Sequence, residues 1–246
     1  MSARFTVLTG GVGGAKLVEG LYRILPLNSL TAIVNTGDDF RHFGLPISPD
    51  IDTLLYTLSG KSNQALGWGR EGETWNFMAA LKSLGGEDWF NLGDGDLALH
   101  VLRGMGLSAG ESLSGVIARF AKAWDLRLSI LPMTDDAVAT WVETDEGLLP
   151  FQRYFVERQC APKVQAVRFE GAAEAVPAPG VIAAIMESDA VLVAPSNPWL
   201  SVDPLLAIPQ IRAALESTKA PVIAVSPLVE GKAVKGPTAK LMDELG

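Results

Sequence analysis

The chain has 246 residues, 48% of them apolar, which is ample for a continuous core in one large or two small domains and argues against disorder. Twenty Lys and Arg against 28 Asp and Glu leave a formal charge of -8, so the basic surface that nucleic acid or an anionic membrane requires is missing. Cys160, the single cysteine, can form neither an internal disulfide nor a thiolate cluster, no apolar run approaches the roughly 20 residues of a membrane span, and the opening segment lacks a secretory layout, so a cytoplasmic protein is expected.

Phe5 to Leu8 reads as a strand that stops at Thr9-Gly10-Gly11-Val12-Gly13-Gly14, and Leu17, Leu21 and Leu25 then mark a helix by their four-residue spacing. Leu30 to Val34 repeats the strand, breaks at Asn35-Thr36-Gly37-Asp38-Asp39 and enters a loop. A helix begins near Pro49-Asp50-Ile51-Asp52 and runs to Leu58. Glu73 to Trp124 is mostly helical by periodicity, interrupted at Gly85-Gly86 and Asn91 to Asp96. Arg127 to Leu131 is a strand, Ala139 to Thr144 and Leu148 to Phe151 a hairpin, and Val164 to Phe169 another strand. The last third alternates: helix around Val181 to Met186, strand Ala190 to Ala194, helix Ile208 to Leu215, strand Val222 to Val225, helix Thr238 to Leu245. The pattern predicts a single α/β domain over 1–246, its parallel sheet covered on both faces, with a helical insertion at about 53–125.

Ligands of such sheets bind beyond the carboxyl ends of the strands. The predicted exits are a glycine turn, two Asp pairs (Asp38-Asp39 and Asp135-Asp136), Ser196-Asn197 between prolines, and a Ser226-Pro227 loop carrying Lys232 and Lys235. The glycine turn lacks the Lys-Ser/Thr of a P-loop, and a dinucleotide fingerprint would need a glycine where Lys16 stands. What remains is a backbone open to close approach ahead of a helix start that attracts an anion, or simply a tight turn. Asp38, Asp39, Asp50 and Asp52 crowd four carboxylates into fifteen residues, with Asp94 and Asp96 as a further pair. Clustered carboxylates repel without a cation or proton, and hard oxygen donors suit Mg²⁺ with phosphate; helix capping is the competing reading for each of them. His100, one turn beyond Asp96, and His42 read as structural. Trp68, Trp75, Trp89 and Phe90 pack the insertion or make a flat apolar slot. No Gly-x-Ser-x-Gly, His-Glu-x-x-His or Cys-His arrangement supports a hydrolase.

Taken together, Gly10 to Lys16, Asn35 to Asp39, Ser48 to Thr53, Leu92-Gly93-Asp94 with Asp96, Leu131 to Met133 with Asp135-Asp136, Pro195 to Pro198, Val225 to Pro227, and Lys235 to Pro237 with Lys240 to Met242 resemble the 2-phospho-L-lactate transferase (CofD-like) family of coenzyme F-420 biosynthesis over essentially the whole chain. The resemblance implies a Rossmann-like three-layer parallel sheet with a helical insertion, usually as a homodimer. It further implies Mg²⁺-dependent transfer of a phosphorylated three-carbon acid (phospholactyl, phosphoenolpyruvyl or phosphoglyceryl) from its guanosine diphosphate adduct to the ribityl hydroxyl of the deazaflavin Fo, releasing GMP. On this basis Asp52 is the expected Fo-contacting carboxylate and Asp38 and Asp50 are base or metal candidates; all three are catalytic and metal-ligand candidates. Gly10, Gly11, Gly13, Gly14, Lys16, Asn35, Asp39, Asn91, Asp94, Asp96, Ser196, Asn197 and Ser226 are the substrate-binding candidates. Relatives often carry a basic residue near the positions of Asn91 and Gly95, and usually continue beyond the point matching Gly246, so the chain reads as naturally short or as a truncated piece. The rival reading is a non-catalytic nucleotide-sugar-binding regulator of central-carbon or cell-wall metabolism. A nicotinamide dehydrogenase has less support, because Asp38 lies 27 residues after Gly11, not about 20.

Overall fold

The computed structural model describes residues 3–233 and 236–246; Lys235, expected in the last strand-exit loop, lies outside the described residues. The chain opens with β1 (Phe5–Thr9), α1 (Gly11–Ile24), β2 (Leu30–Val34), a short hairpin of β3 (Phe40–His42) and β4 (Leu45–Ile47), and α2 (Pro49–Leu58). Three helices follow, α3 (Asn76–Ser83), α4 (Asp94–Ser108) and α5 (Leu113–Ala123), before β5 (Ser129–Pro132). Then come β6 (Ala139–Thr144), β7 (Gly147–Pro150), a π-helical turn at Arg153–Glu157, β8 (Val164–Glu170), α6 (Val181–Met186) and β9 (Ala190–Val193). A second π-helical turn at Pro198–Val202 leads into α7 (Asp203–Leu206), α8 (Pro209–Ser217), β10 (Val222–Ala224), the small pair β11 (Leu228–Val229) and β12 (Lys232–Ala233), and α9 (Thr238–Leu245).

Five strands form a sheet in the spatial order β10, β9, β1, β2, β5, all neighbours parallel. Successive side chains of a strand point to opposite faces, and in a sheet covered on both sides each set must be apolar. Accordingly Val7, Ala32 and Val34 pack with Val18 of α1, Leu54 of α2 and Ile117 of α5. Leu8, Ile33 and Val191 face the other way, onto Ile185 of α6 and Ile211 of α8. Thus α2 and α5 belong to the main helical layer, whereas α3 closes a separate small cluster of Ile47, Met78 and Leu92. A second sheet, in the order β7, β6, β8, is antiparallel and packs through Val142 and Val164 against Leu241 of α9.

The β3–β4 hairpin replaces part of the loop expected between Asn35 and Pro49. Phe43 and Gly44 turn it, with φ of 51° and 76°, the paired positive dihedrals that suit a two-residue hairpin. Phenylalanine rarely takes that conformation, so the sequence carried little sign of a turn there. The Phe43 ring lies 3.8 Å from that of His42 and 6.0 Å from that of Phe77, contacts that hold it in place.

Register brings the strand exits level. Thr9 pairs with Val34 and Leu8 with Val193, and the ladder continues one step further through Asn35 N donating to Thr9 O (2.9 Å) and Ala194 N donating to Leu8 O (2.9 Å). From β1 the chain moves outward on one side to β2 and β5, and later returns to the other side as β9 and β10. The crevice between the ends of β1 and β9 is therefore the switch point where ligands of open α/β sheets bind.

Candidate active site

At that switch point Gly10 and Gly11 leave β1. Gly11 has φ of +62°, a left-handed backbone that favours glycine, and a Cβ on Gly10 would stand 2.8 Å from Asp50 Oδ2, so Gly10 leaves room for the Asp50 carboxylate. Ser196 Oγ donates to Gly10 O at 2.6 Å, joining the β9 exit to the β1 exit. At Gly13 and Gly14 a Cβ would run into Pro195 O and Thr9 Oγ1, so glycine there seats α1 against the strand ends. The first turn of α1 carries no side-chain cap, leaving backbone N–H groups with the partial positive charge of a helix start.

Asn35, fully buried, ties the cluster together. Its Nδ2 donates to Asp50 Oδ2 (3.0 Å) and its Oδ1 accepts from Gly37 N (2.8 Å). Asp38 and Asp50 are both buried; burial, helped at Asp38 by repulsion from Asp50, pushes Asp38 well above the usual carboxylate range. Burial raises Asp50 to about 6 against the hydrogen bonds from Asn35 and Gly11. Asp39 is pushed up in the same way although Ser48 Oγ donates to its Oδ2 at 2.6 Å. Thr36 Oγ1, Asp38 Oδ1, Asp39 Oδ1 and Thr140 Oγ1 are sealed from solvent with no hydrogen-bond partner among the described residues. Buried acceptors left open in this way are costly and mark a place where a cation, proton or ligand completes the structure.

Asp52 stands in different company. Arg103, wholly buried on α4, grips both its oxygens and also donates to Pro46 O at 3.1 Å. His100 Nδ1 lies 3.7 Å from Asp52 Oδ2 and its Nε2 3.3 Å from Asp96 Oδ2, while the Tyr56 hydroxyl donates to Asp96 Oδ1. Burial pushes Asp96 up, but His100 and Tyr56 outweigh it and leave the carboxyl below its usual range. Asp52, expected as a catalytic and metal-ligand carboxylate, thus has a guanidinium engaging both of its oxygens.

Other candidates are dispersed. Asp94 accepts from Phe77 N (3.0 Å), Asn76 N (3.1 Å) and Thr74 Oγ1 (2.6 Å), bonds that cap α3 and hold its carboxyl at about 2. Both oxygens of Asp94, expected to bind substrate, are thus engaged with the start of α3. Asn197 Oδ1 accepts from Leu200 N (3.1 Å) and opens the second π-helical turn, and Ser226 Oγ accepts from Leu228 N (3.1 Å) in an exposed turn. Asp135 likewise holds Ser114 N and Oγ at the start of α5, and Asp136 accepts from Val176 N. Lys16 and Asn91 are exposed. Trp89 and Phe90 pack with Phe40 and His42, whereas Trp68 and Trp75 stand exposed and apart from them. Sequence reasoning missed Arg103; the signal was the spacing Asp96, His100, Arg103, which places all three on one face of a helix.

Among the described residues no three His, Cys, Asp or Glu side chains are grouped as a ready metal site. Asp38 and Asp50 nevertheless supply hard oxygen donors beside an open anion-attracting helix start. One or two carboxylates completed by phosphate oxygens is the usual manner of holding Mg²⁺.

The profile of the family described as 2-phospho-L-lactate transferase CofD matches residues 5–246. The chain is 43% identical over 249 residues to a phosphoenolpyruvate transferase of Kitasatospora aureofaciens and 41% identical over 248 residues to one of Streptomyces coelicolor, in each case over 99% of this chain and 78% of the relative. One from Mycolicibacterium smegmatis is 40% identical over 99% of this chain and 79% of its own. Among solved structures, protein BH3568 from Bacillus halodurans superposes with a TM-score of 0.68 at 21% identity, covering 91% of this chain and 68% of the other, a likeness of fold. On the strength of the family match and these relatives, the chain belongs to the 2-phospho-L-lactate transferase CofD family and is a transferase.

Proposed function

We propose that this transferase moves a phosphorylated three-carbon acid, phosphoenolpyruvyl by the names of its relatives, from a guanosine diphosphate adduct to the ribityl hydroxyl of the deazaflavin Fo in coenzyme F-420 biosynthesis. The supporting observation is the convergence of Gly10, Asn35, Asp50 and Ser196 from three strand exits and one helix start onto one crevice. The donor's diphosphate lies against the uncapped N–H groups of the first turn of α1 beyond Gly11, whose own N–H is given to Asp50. One carboxylate of the Asp38–Asp50 pair, with phosphate oxygens, would hold Mg²⁺, which would neutralise the charge that develops on those oxygens.

The hydroxyl oxygen of Fo attacks the phosphorus bearing the three-carbon acid, the bond from that phosphorus to the bridging oxygen breaks, and GMP leaves with the bridging oxygen. The carboxylate of the Asp38–Asp50 pair that does not hold the ion, its affinity for a proton raised by burial, accepts the hydroxyl proton. Asp52, fixed by Arg103, orients groups and does not take the proton. As in other phosphoryl transfers, positioning and charge neutralisation carry most of the acceleration. A cytoplasmic homodimer completes the proposal; no helix among the described residues is long and apolar enough to cross a membrane.

The test is to mix purified protein with Fo and each of the three guanylated donors, with Mg²⁺ or with a chelator, and to follow GMP. GMP release that needs both Fo and Mg²⁺, fastest with the phosphoenolpyruvyl donor, is expected. Absence of Fo binding by fluorescence, together with saturable binding of UDP-sugars, overturns the reading in favour of a regulator.

A further inference from the structure

A cavity of about 370 Å³ opens among α2, α4 and α5, lined by none of the carboxylates gathered at the strand exits. Its walls include Tyr56, Lys61, Arg70, Leu102, Phe120 and Trp124. The rings of Tyr56 and Trp124 stand 5.7 Å apart at 35°, a shallow aromatic trough. Lys61 Nζ lies 5.6 Å from the centre of the Trp124 ring and has no carboxylate partner among the described residues. Arg70 adds a second cation, held by Glu73 at 3.1 Å and lying against the start of α4 at Gly95.

Other described lysines also lack a carboxylate partner; what sets Lys61 apart is an ammonium placed over an indole at the wall of an apolar hollow. The lining combines a mostly apolar surface with a few polar groups on one side, at a volume within the usual range for small-molecule sites. Tyr56 offers only its ring, because its hydroxyl is committed to Asp96.

From this geometry we infer that the cavity is a second ligand site, for a small flat aromatic molecule that carries an anionic group. The ring lies against Trp124, with the buried Tyr56 at the floor, and the anion meets Lys61 and Arg70. The site is independent of the transfer reaction proposed above and stands or falls separately from it.

The probe is 8-anilinonaphthalene-1-sulfonate, a flat aromatic sulfonate whose emission reports burial, titrated into the folded protein with excitation through tryptophan. One saturable site is expected, weakened at least fivefold in Lys61→Gln and at least tenfold in Trp124→Leu, and unmoved by GDP with Mg²⁺. Leu102, exposed at 45% on α4, gives a variant that spares the core: Leu102→Glu sets a like charge at the mouth and is expected to abolish binding with an unchanged unfolding midpoint. Unaltered affinity in Lys61→Gln and Leu102→Glu, or displacement of the probe by GDP, overturns the assignment.

Discussion

Asp50 and Asp52 lie two residues apart in the first turn of α2, both buried, yet they meet opposite surroundings. Asp52 faces the Arg103 guanidinium, with the His100 ring beside it, so its charge is met by a cation built into the fold. Asp50 receives only neutral donors, from Asn35 and Gly11, and it confronts a second buried carboxylate in Asp38. Burial raises both pKa values, but Asp52 has a counter-charge supplied by the chain and the Asp38–Asp50 pair does not. The first arrangement is closed and serves to position; the second is open and needs a proton or a cation.

Removing the cation from the closed side gives the largest expected effect. Arg103→Met leaves the Asp52 carboxylate buried without a partner, and breaking a buried pair in this way typically costs about 3–5 kcal/mol. Urea unfolding should show a loss of that order, with Arg103→Lys intermediate because an ammonium keeps the charge and loses the two-point grip. A Met variant as stable as the parent would mean that Asp52 does not depend on Arg103, and the contrast with Asp50 would dissolve.

The open side should respond to pH with a definite sign. Asp50 is raised from the usual 3.8 to about 6, so between those values the folded chain holds a proton that the unfolded chain has released. The folded state then binds more protons than the unfolded one, and stability falls as pH rises through that window, flattening above about 6. For a shift of this size the change is about 3 kcal/mol, with Asp38 adding in the same direction. Unfolding midpoints from pH 4 to pH 7.5 should show the decline, Asp50→Asn should make it shallower, and Mg²⁺ with GDP should recover stability at pH 7.5. A parent profile that matches Asp50→Asn throughout would show that the pair carries no such strain. The same substitution is expected to lower turnover by at least a hundredfold, read as GMP release.

Much of the architecture was legible because it follows from local pattern. Leu30–Val34, α2 ending at Leu58 and α9 at Thr238–Leu245 have the bounds that alternation and four-residue spacing indicate. The β3–β4 hairpin was hidden, since its turn rests on Phe43 at positive φ, held by ring contacts with residues far along the chain. At the site, the meeting of the glycine turn with Asn35, Asp50 and Ser196 follows from strand order, and a parallel sheet makes that order readable. What spacing does not reveal is which carboxylate meets a cation: the Asp52–Arg103 pair spans 51 positions, and Arg103 reads in sequence as one charge on an amphipathic helix. The same limit applies to Asp94, whose helix cap serves α3, eighteen residues earlier, and not the helix that follows it.

Asp94 therefore gives the smallest and sharpest test, because it shares a motif with Asp96 but not its surroundings. Its carboxylate accepts from the backbone of Asn76 and Phe77, so Asp94→Ala removes a cap from α3, a helix that packs mainly in its own small cluster of Ile47, Met78 and Leu92. The cost should be confined to that segment: a drop of about 2 °C in the unfolding midpoint and faster amide exchange in 76–83, with GMP release within twofold of the parent. A loss of turnover as large as that of Asp50→Asn would instead place Asp94 against substrate, and the division between closed and open carboxylates would have to be redrawn to include it.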